Sequence, residues 1–96
     1  MPQIELAPQV ADDLDRIVHH LTSHAAHSVN EQLQSIMAAM SLLEHSPLIG
    51  RPAATDMREL VIGRRSRGYV ALYRYVAEID TVFVLALKSQ CEAGYA

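Results

Sequence analysis

The residue types best suited to chemistry crowd into the second half of the chain. Arg51, Arg58, Arg64, Arg65, Arg67, Arg74 and Lys88 are seven of its eight cations. The guanidinium is a planar fork of donors that matches carboxylate and phosphate geometry, so this group fits a phosphate- or carboxylate-binding surface. Arg64, Arg65 and Arg67 suit the plainer role of keeping a hairpin loop soluble equally well. Arg58 and Arg74 fall inside predicted strands beside apolar neighbours, where a charge costs free energy unless it is paired or used. Asp56, Glu59 and Glu78 could pair with them, so both roles stay open. Tyr69, Tyr73 and Tyr75 alternate along one strand face. They either pack on the helices or present an anchoring and stacking surface. Tyr95 is expected to dock back on the fold or to enter a site.

Other chemistries find less support. His19, His20, His24 and His27 lie close together, and His20 and His24 are spaced to reach one metal from one helix face. They share that side of the helix with Asp13 and Arg16. No carboxylate or cysteine is spaced to complete a ligand set, so they read as solvated helix surface and no metal site is expected. The chain after residue 50 holds no histidine, and Cys91 has none beside it in sequence, so it reads as an incidental thiol. Gly63 and Gly68 bracket a hairpin rather than a strand-to-helix phosphate loop. No cofactor is expected.

Charge divides along the same line. Residues 1–50 carry one cation and six acids, a net of −5; residues 51–96 carry seven cations and five acids, a net of +2. The whole is acidic, with a net of −3 and a pI near 5.9. That argues against a strong, non-specific nucleic-acid binder, which needs an excess of phosphate-neutralising cations. One cysteine makes no internal disulfide, so a reducing, cytoplasmic compartment is the default. No signal peptide and no membrane-spanning run is expected. At 96 residues, half of them apolar, the chain is expected to be one domain spanning 1–96.

The elements that must position these residues follow from periodicity. Ile4–Ala7 reads as a short edge strand. Pro8 then suits a first helical turn, and Val10, Leu14, Ile17, Val18 and Leu21 make one apolar helix face. Ser28 and Glu31 form a capping box for a second helix with Val29, Leu33, Ile36, Met37, Met40 and Leu43 on one face. Its middle is apolar nearly all round, which predicts burial on more than one side. The connection at 25–27 is so short that the helices must form an antiparallel hairpin.

After Gly50-Arg51-Pro52 the pattern turns to strands: Met57–Ile62, Tyr69–Tyr75 and Thr81–Lys88, joined by short loops as an antiparallel meander. In the last strand, alternation puts Phe83, Leu85 and Leu87 on one face and Val82, Val84, Ala86 and Lys88 on the other. The fold class is therefore α+β: a short strand, a helical hairpin, and a three-stranded meander packed on the helices. The second sheet face stays apolar but carries cations and tyrosines, which marks it as a partner-site candidate.

Five blocks in this order resemble the RelE/ParE toxin superfamily, and most of all its ParE-like plasmid-stabilization branch. They are Pro47-Leu48-Ile49-Gly50-Arg51-Pro52, Met57-Arg58-Glu59-Leu60-Val61-Ile62-Gly63, Gly68-Tyr69-Val70-Ala71-Leu72-Tyr73-Arg74-Tyr75, Val82–Leu87 and Glu92-Ala93-Gly94-Tyr95. The resemblance covers essentially the whole chain. It implies the toxin of a type II toxin–antitoxin pair, neutralised by a cognate antitoxin.

Three functions are compatible with that resemblance. ParE-like members inhibit DNA gyrase, and hence replication, without being nucleases. Here Arg58, Arg64, Arg65, Arg67, Arg74 and Lys88 would form the polar contact surface, with Tyr69, Tyr73 and Tyr95 as anchors. RelE-like members cut mRNA in the ribosome; in that case Lys88, Tyr95 and Arg74 would be the catalytic candidates. Such cleavage needs a base, an acid and stabilisation of the phosphorane. Arginine is no base near neutral pH, and Lys88 would need a strongly lowered pKa. Relatives with a similar tail carry His and Arg where this chain has Ser89 and Cys91. That loss disfavours the nuclease and also suits a third reading, a decayed, non-toxic module that still binds its antitoxin. The gyrase inhibitor is the leading expectation, and the chain is read as more a binder than an enzyme.

Overall fold

A computed structural model of the chain describes residues 2–24, 29–63 and 68–89. In chain order these form β1 (Gln3–Leu6), α1 (Pro8–His24), α2 (Val29–His45), β2 (Arg51–Ala54), β3 (Met57–Ile62), β4 (Tyr69–Val76), a 3-10 turn at Ala77–Ile79, and β5 (Thr81–Ser89). The capping residue Ser28, the helix connection at 25–27, the loop arginines Arg64, Arg65 and Arg67, and Cys91 and Tyr95 lie outside the described residues.

The strands make one sheet in the order β1-β5-β4-β3-β2. Its centre is the expected meander. β1 is the expected edge strand and runs parallel to β5, with Ile4 opposite Val82. Among the described residues the sheet has five strands, because Arg51–Ala54 forms a strand where the sequence reads only a break. It pairs antiparallel with β3, Arg51 opposite Glu59, around a turn in which Asp56 takes φ 62°. Pro52 has no N–H for a ladder, which is tolerated at a sheet edge. The Pro-Ala-Ala run has little strand propensity of its own, so pairing with β3 makes the strand.

A second difference lies in β5. Tyr73 pairs with Val84, but Leu72 pairs with Ala86, so Leu85 is an extra residue in the ladder. Such a bulge reverses the side-chain phase beyond it. Val82, Val84 and Leu87 are fully buried together, and Lys88 faces the opposite side from all three. The strict alternation expected from the sequence, with Lys88 beside Val82 and Val84, does not hold past the bulge.

Both helices pack on the sheet face that carries Val84 and Leu87. Val10, Ile17, Ile36, Met40 and Leu43 meet Ile62, Tyr69, Ala71, Tyr73, Val82, Val84 and Leu87 there. Each fully buried aliphatic side chain contributes about 1.5–3 kcal/mol. α2 is buried on one face only. Met37 is 64% exposed and Leu42 42%, against the expectation of burial on several sides. No described helix is long and apolar enough to cross a membrane.

Candidate functional site

Residues opposite one another in a ladder point to the same side of the sheet. On the side away from the helices this gives three rows. One is Glu5, Phe83 and Arg74; the next is Ala86, Leu72, Glu59 and Arg51; the third is Lys88, Val70 and Val61. The middle of this outer face is apolar. Val70, Leu72, Phe83 and Ala86 are half-buried, and Val61 is 43% exposed. Arg51 and Glu59 pair across it at 3.1 Å. Arg74 and Lys88 stand at opposite ends. Arg74 is four residues from Val70, the partner of Lys88, so their backbones are about 13 Å apart along the strand. Arg74 is exposed and makes no hydrogen bond or ion pair with the described residues.

The two strand arginines, alike in the sequence, therefore differ. Arg58 pairs with Tyr73 and belongs to the helix side of the sheet. Its Nη1 donates to the carbonyls of Gly50 (2.7 Å) and Leu48 (3.3 Å). Backbone oxygens, not an acid, partner the charge. It ties the loop after α2 to β3 and does not share the outer face with Arg74.

Tyr73 and Tyr69 are core residues rather than surface anchors. Tyr73 is 0% exposed and Tyr69 5%. The Tyr73 hydroxyl accepts the Gly50 N–H at 2.8 Å. Burial raises the Tyr73 phenol above its usual value, against the opposing pull of the Gly50 N–H and the Arg58 charge. Gly50 is required by this approach. A Cβ there would lie 2.7 Å from the Glu59 carbonyl oxygen and from the ring and hydroxyl of Tyr73.

Beyond the Arg58–Tyr73 pair, β4 runs on without β3. A groove of about 440 Å³ opens there, lined by Leu48, Pro52, Met57 and Val76, with Arg58, Arg74, Asp56 and Glu78 as its charges. Arg58 and Arg74 meet at this groove although they lie on opposite faces. Tyr75 also lines it and donates its hydroxyl to Asp80 at 2.6 Å. That hydrogen bond raises the Tyr75 phenol, with smaller contributions from burial and the charges of Asp80 and Glu78.

Asp13 is the feature that the sequence did not single out. Its carboxylate is fully buried and accepts the N–H of Leu87 (2.9 Å), Arg16 Nη1 (2.8 Å) and Gln9 Nε2 (2.9 Å). Arg16 Nη2 in turn donates to the Leu87 carbonyl at 3.2 Å. Burial pushes the Asp13 carboxyl up. The Leu87 N–H, the Arg16 and Gln9 hydrogen bonds and the Arg16 charge outweigh it and leave the carboxyl below its usual value. The signal lay in spacing: Asp13 is three residues after Val10 and four before Ile17, at the centre of the apolar stripe. His19 and His20 are exposed on the same helix. Among the described residues, no three His, Cys, Asp or Glu side chains gather.

Residues 4–93 match the family of the ParE toxin of type II toxin–antitoxin systems, parDE. Toxin RelE3 of Caulobacter vibrioides is 30% identical over 93 residues, covering 96% of this chain and 98% of that protein. A solved chain of the chromosomal ParDE system from P. aeruginosa superposes with a TM-score of 0.79 at 20% identity, covering 93% of this chain and 96% of that one. A chain of the intact E. coli RelBE toxin–antitoxin complex superposes with a TM-score of 0.63 at 18% identity, covering 96% and 100%.

Proposed function

The chain belongs to the ParE toxin family of type II toxin–antitoxin systems, and from that footing we propose that it inhibits DNA gyrase in the cytoplasm and is neutralised by a cognate antitoxin. The observation that carries the reading is the outer sheet face. Its centre is apolar, and of the three cations on it among the described residues Arg51 is held by Glu59, while Arg74 and Lys88 stand about 13 Å apart at opposite ends rather than converging on one point. A single scissile phosphate needs its acid, base and stabiliser each within about 3 Å of reacting atoms. An apolar patch edged by separate cations fits a protein partner better. The acidic net charge supports the same choice.

Titration of the protein into a supercoiling reaction with gyrase and relaxed plasmid tests this. Supercoiling should fall with added protein; an unchanged reaction overturns the proposal. The second reading is a ribosome-dependent mRNA endonuclease, favoured by the 30% identity to a protein named Toxin RelE3. Primer extension on translated mRNA decides it, since that activity leaves codon-phased cuts.

The antitoxin segment would be acidic and amphipathic, ordering as it docks. The groove beside Arg74 suits it, because that exposed guanidinium has no acid of its own among the described residues.

A further inference from the structure

One row of the outer face holds two opposite charges that do not meet. Strands β1, β5 and β4 are neighbours, and Glu5, Phe83 and Arg74 stand abreast on them. With strands about 4.8 Å apart, Glu5 and Arg74 flank Phe83 with their backbones roughly 10 Å apart. Both are exposed, and neither makes an ion pair or hydrogen bond with a described residue.

Beside Glu5 the face is hollow. A cleft of about 510 Å³ opens there, with Gln3, Glu5, Leu6, Ile79, Thr81 and Phe83 among its walls. Leu6 is 52% exposed and Ile79 61%, and Glu5 is the one charged residue lining the cleft among the described residues. Such a cleft suits a guanidinium on an apolar stem. The stem covers Leu6 and Ile79, the head pairs with Glu5, and the ring of Phe83 offers a face to the cation. A side chain of that kind, Arg74, stands unpaired on the other side of Phe83.

We propose that a second copy of the chain fills the cleft. Two outer faces pack about a two-fold axis that runs parallel to the strands over Phe83, and Arg74 of each copy enters the Glu5 cleft of the other. An axis along the strands exchanges left and right of Phe83 and leaves the position along the strand unchanged. It therefore sets Glu5 against the second copy's Arg74 twice, in a self-complementary contact. An axis across the strands would set Glu5 on Glu5 and Arg74 on Arg74. Charge selects the first arrangement. It is an aligned packing of two sheets about 10 Å apart, with Phe83 against its own copy at the centre. Lys88, about 13 Å from Phe83 along the strands, falls at the rim, where the twist of the sheets separates them. β3 and β2, with the Arg51–Glu59 pair, lie outside the overlap. Three strands of each sheet overlap, so the contact is smaller than the roughly 800 Å² per partner of a standard interface, and the dimer is weak and concentration-dependent. The proposal does not rest on the gyrase-inhibitor reading.

Analytical ultracentrifugation of the full chain at low salt tests it, over about a hundredfold range of concentration. The average mass of the wild type should rise from 10.6 kDa toward twice that value. Glu5→Arg and Arg74→Glu should each weaken association at least about tenfold, because each sets like charges together at both pairs. The double variant Glu5→Arg with Arg74→Glu rebuilds both pairs with the polarity reversed, and should recover association to within about threefold of wild type. Circular dichroism confirms that each variant is folded. A wild type that stays monomeric throughout overturns the proposal and leaves Arg74 free for the antitoxin. Association that survives either single reversal moves the interface to another face. A folded double variant that associates no better than the single variants shows that Glu5 and Arg74 do not meet, and overturns it equally.

Discussion

The Asp13 carboxylate lies 2.9 Å from the backbone nitrogen of Leu87, a residue 74 positions further along the chain. This bond joins the acidic helical half to the end of the cationic sheet half. The residues on either side of Leu87, Ala86 and Lys88, belong to the outer face, which is apolar at its centre and carries Arg74 and Lys88 at opposite ends.

Replacing Asp13 removes the acceptor of a buried N–H and the counter-charge of Arg16 together. Asp13→Ala is expected to cost about 3 kcal/mol, the upper range for a hydrogen bond to a charged group. Urea denaturation at constant m-value measures it. A loss below about 0.5 kcal/mol would mean that water replaces the carboxylate at no cost.

The same carboxyl gives a pH dependence of known sign. Its pKa is lower folded than unfolded, so the stability it contributes is fully present above the ordinary value of about 3.9 and is lost as pH falls through the folded value. The stability difference between wild type and Asp13→Asn should be flat from pH 5 to 8 and shrink below pH 4. A difference that grows on acidification contradicts the assignment.

Gly50 leaves no room for a side chain. Gly50→Ala should destabilise by about 1–3 kcal/mol through overpacking against Tyr73 and the Glu59 carbonyl. Tyr73→Phe relieves no crowding at the ring and leaves the Gly50 N–H without its acceptor, at about 1–2 kcal/mol. Thermal unfolding of both variants checks the pair; a neutral Gly50→Ala would show that the loop shifts freely.

Arg58 and Arg74 should separate stability from binding. Arg58→Ala unties the Leu48 and Gly50 carbonyls and should lower stability by about 1–2 kcal/mol. Arg74→Glu should change stability by no more than about 0.5 kcal/mol, since the side chain is exposed and unpartnered among the described residues. It should nonetheless weaken antitoxin binding measured by calorimetry. Equal affinity for wild type and Arg74→Glu would remove Arg74 from the contact surface.

The sequence carried the helices and the central strands because their apolar residues repeat with clear periods. Val10, Leu14 and Ile17 specify α1, and Tyr69, Ala71 and Tyr73 specify one face of β4. β2 was silent, since a Pro-Ala-Ala strand exists only by pairing with β3. The Leu85 bulge was equally silent, because an extra residue in a run of Val, Leu and Ala leaves the composition unchanged. That one residue moved Lys88 to the other face. For the candidate site, the cations and the apolar outer face were legible. The burial of Tyr69 and Tyr73, and the division of Arg58 from Arg74, were not. Residue type does not say which side of a sheet the helices cover, and a tyrosine suits either side.

The gyrase titration bears most directly on the account when wild type and Arg74→Glu are run together. Added wild-type protein should suppress supercoiling, and Arg74→Glu, though equally stable, should need several times more protein for the same effect. Unaltered supercoiling with wild type, together with codon-phased mRNA cuts in a translation reaction, would contradict the central claim and make the chain a ribosome-dependent nuclease.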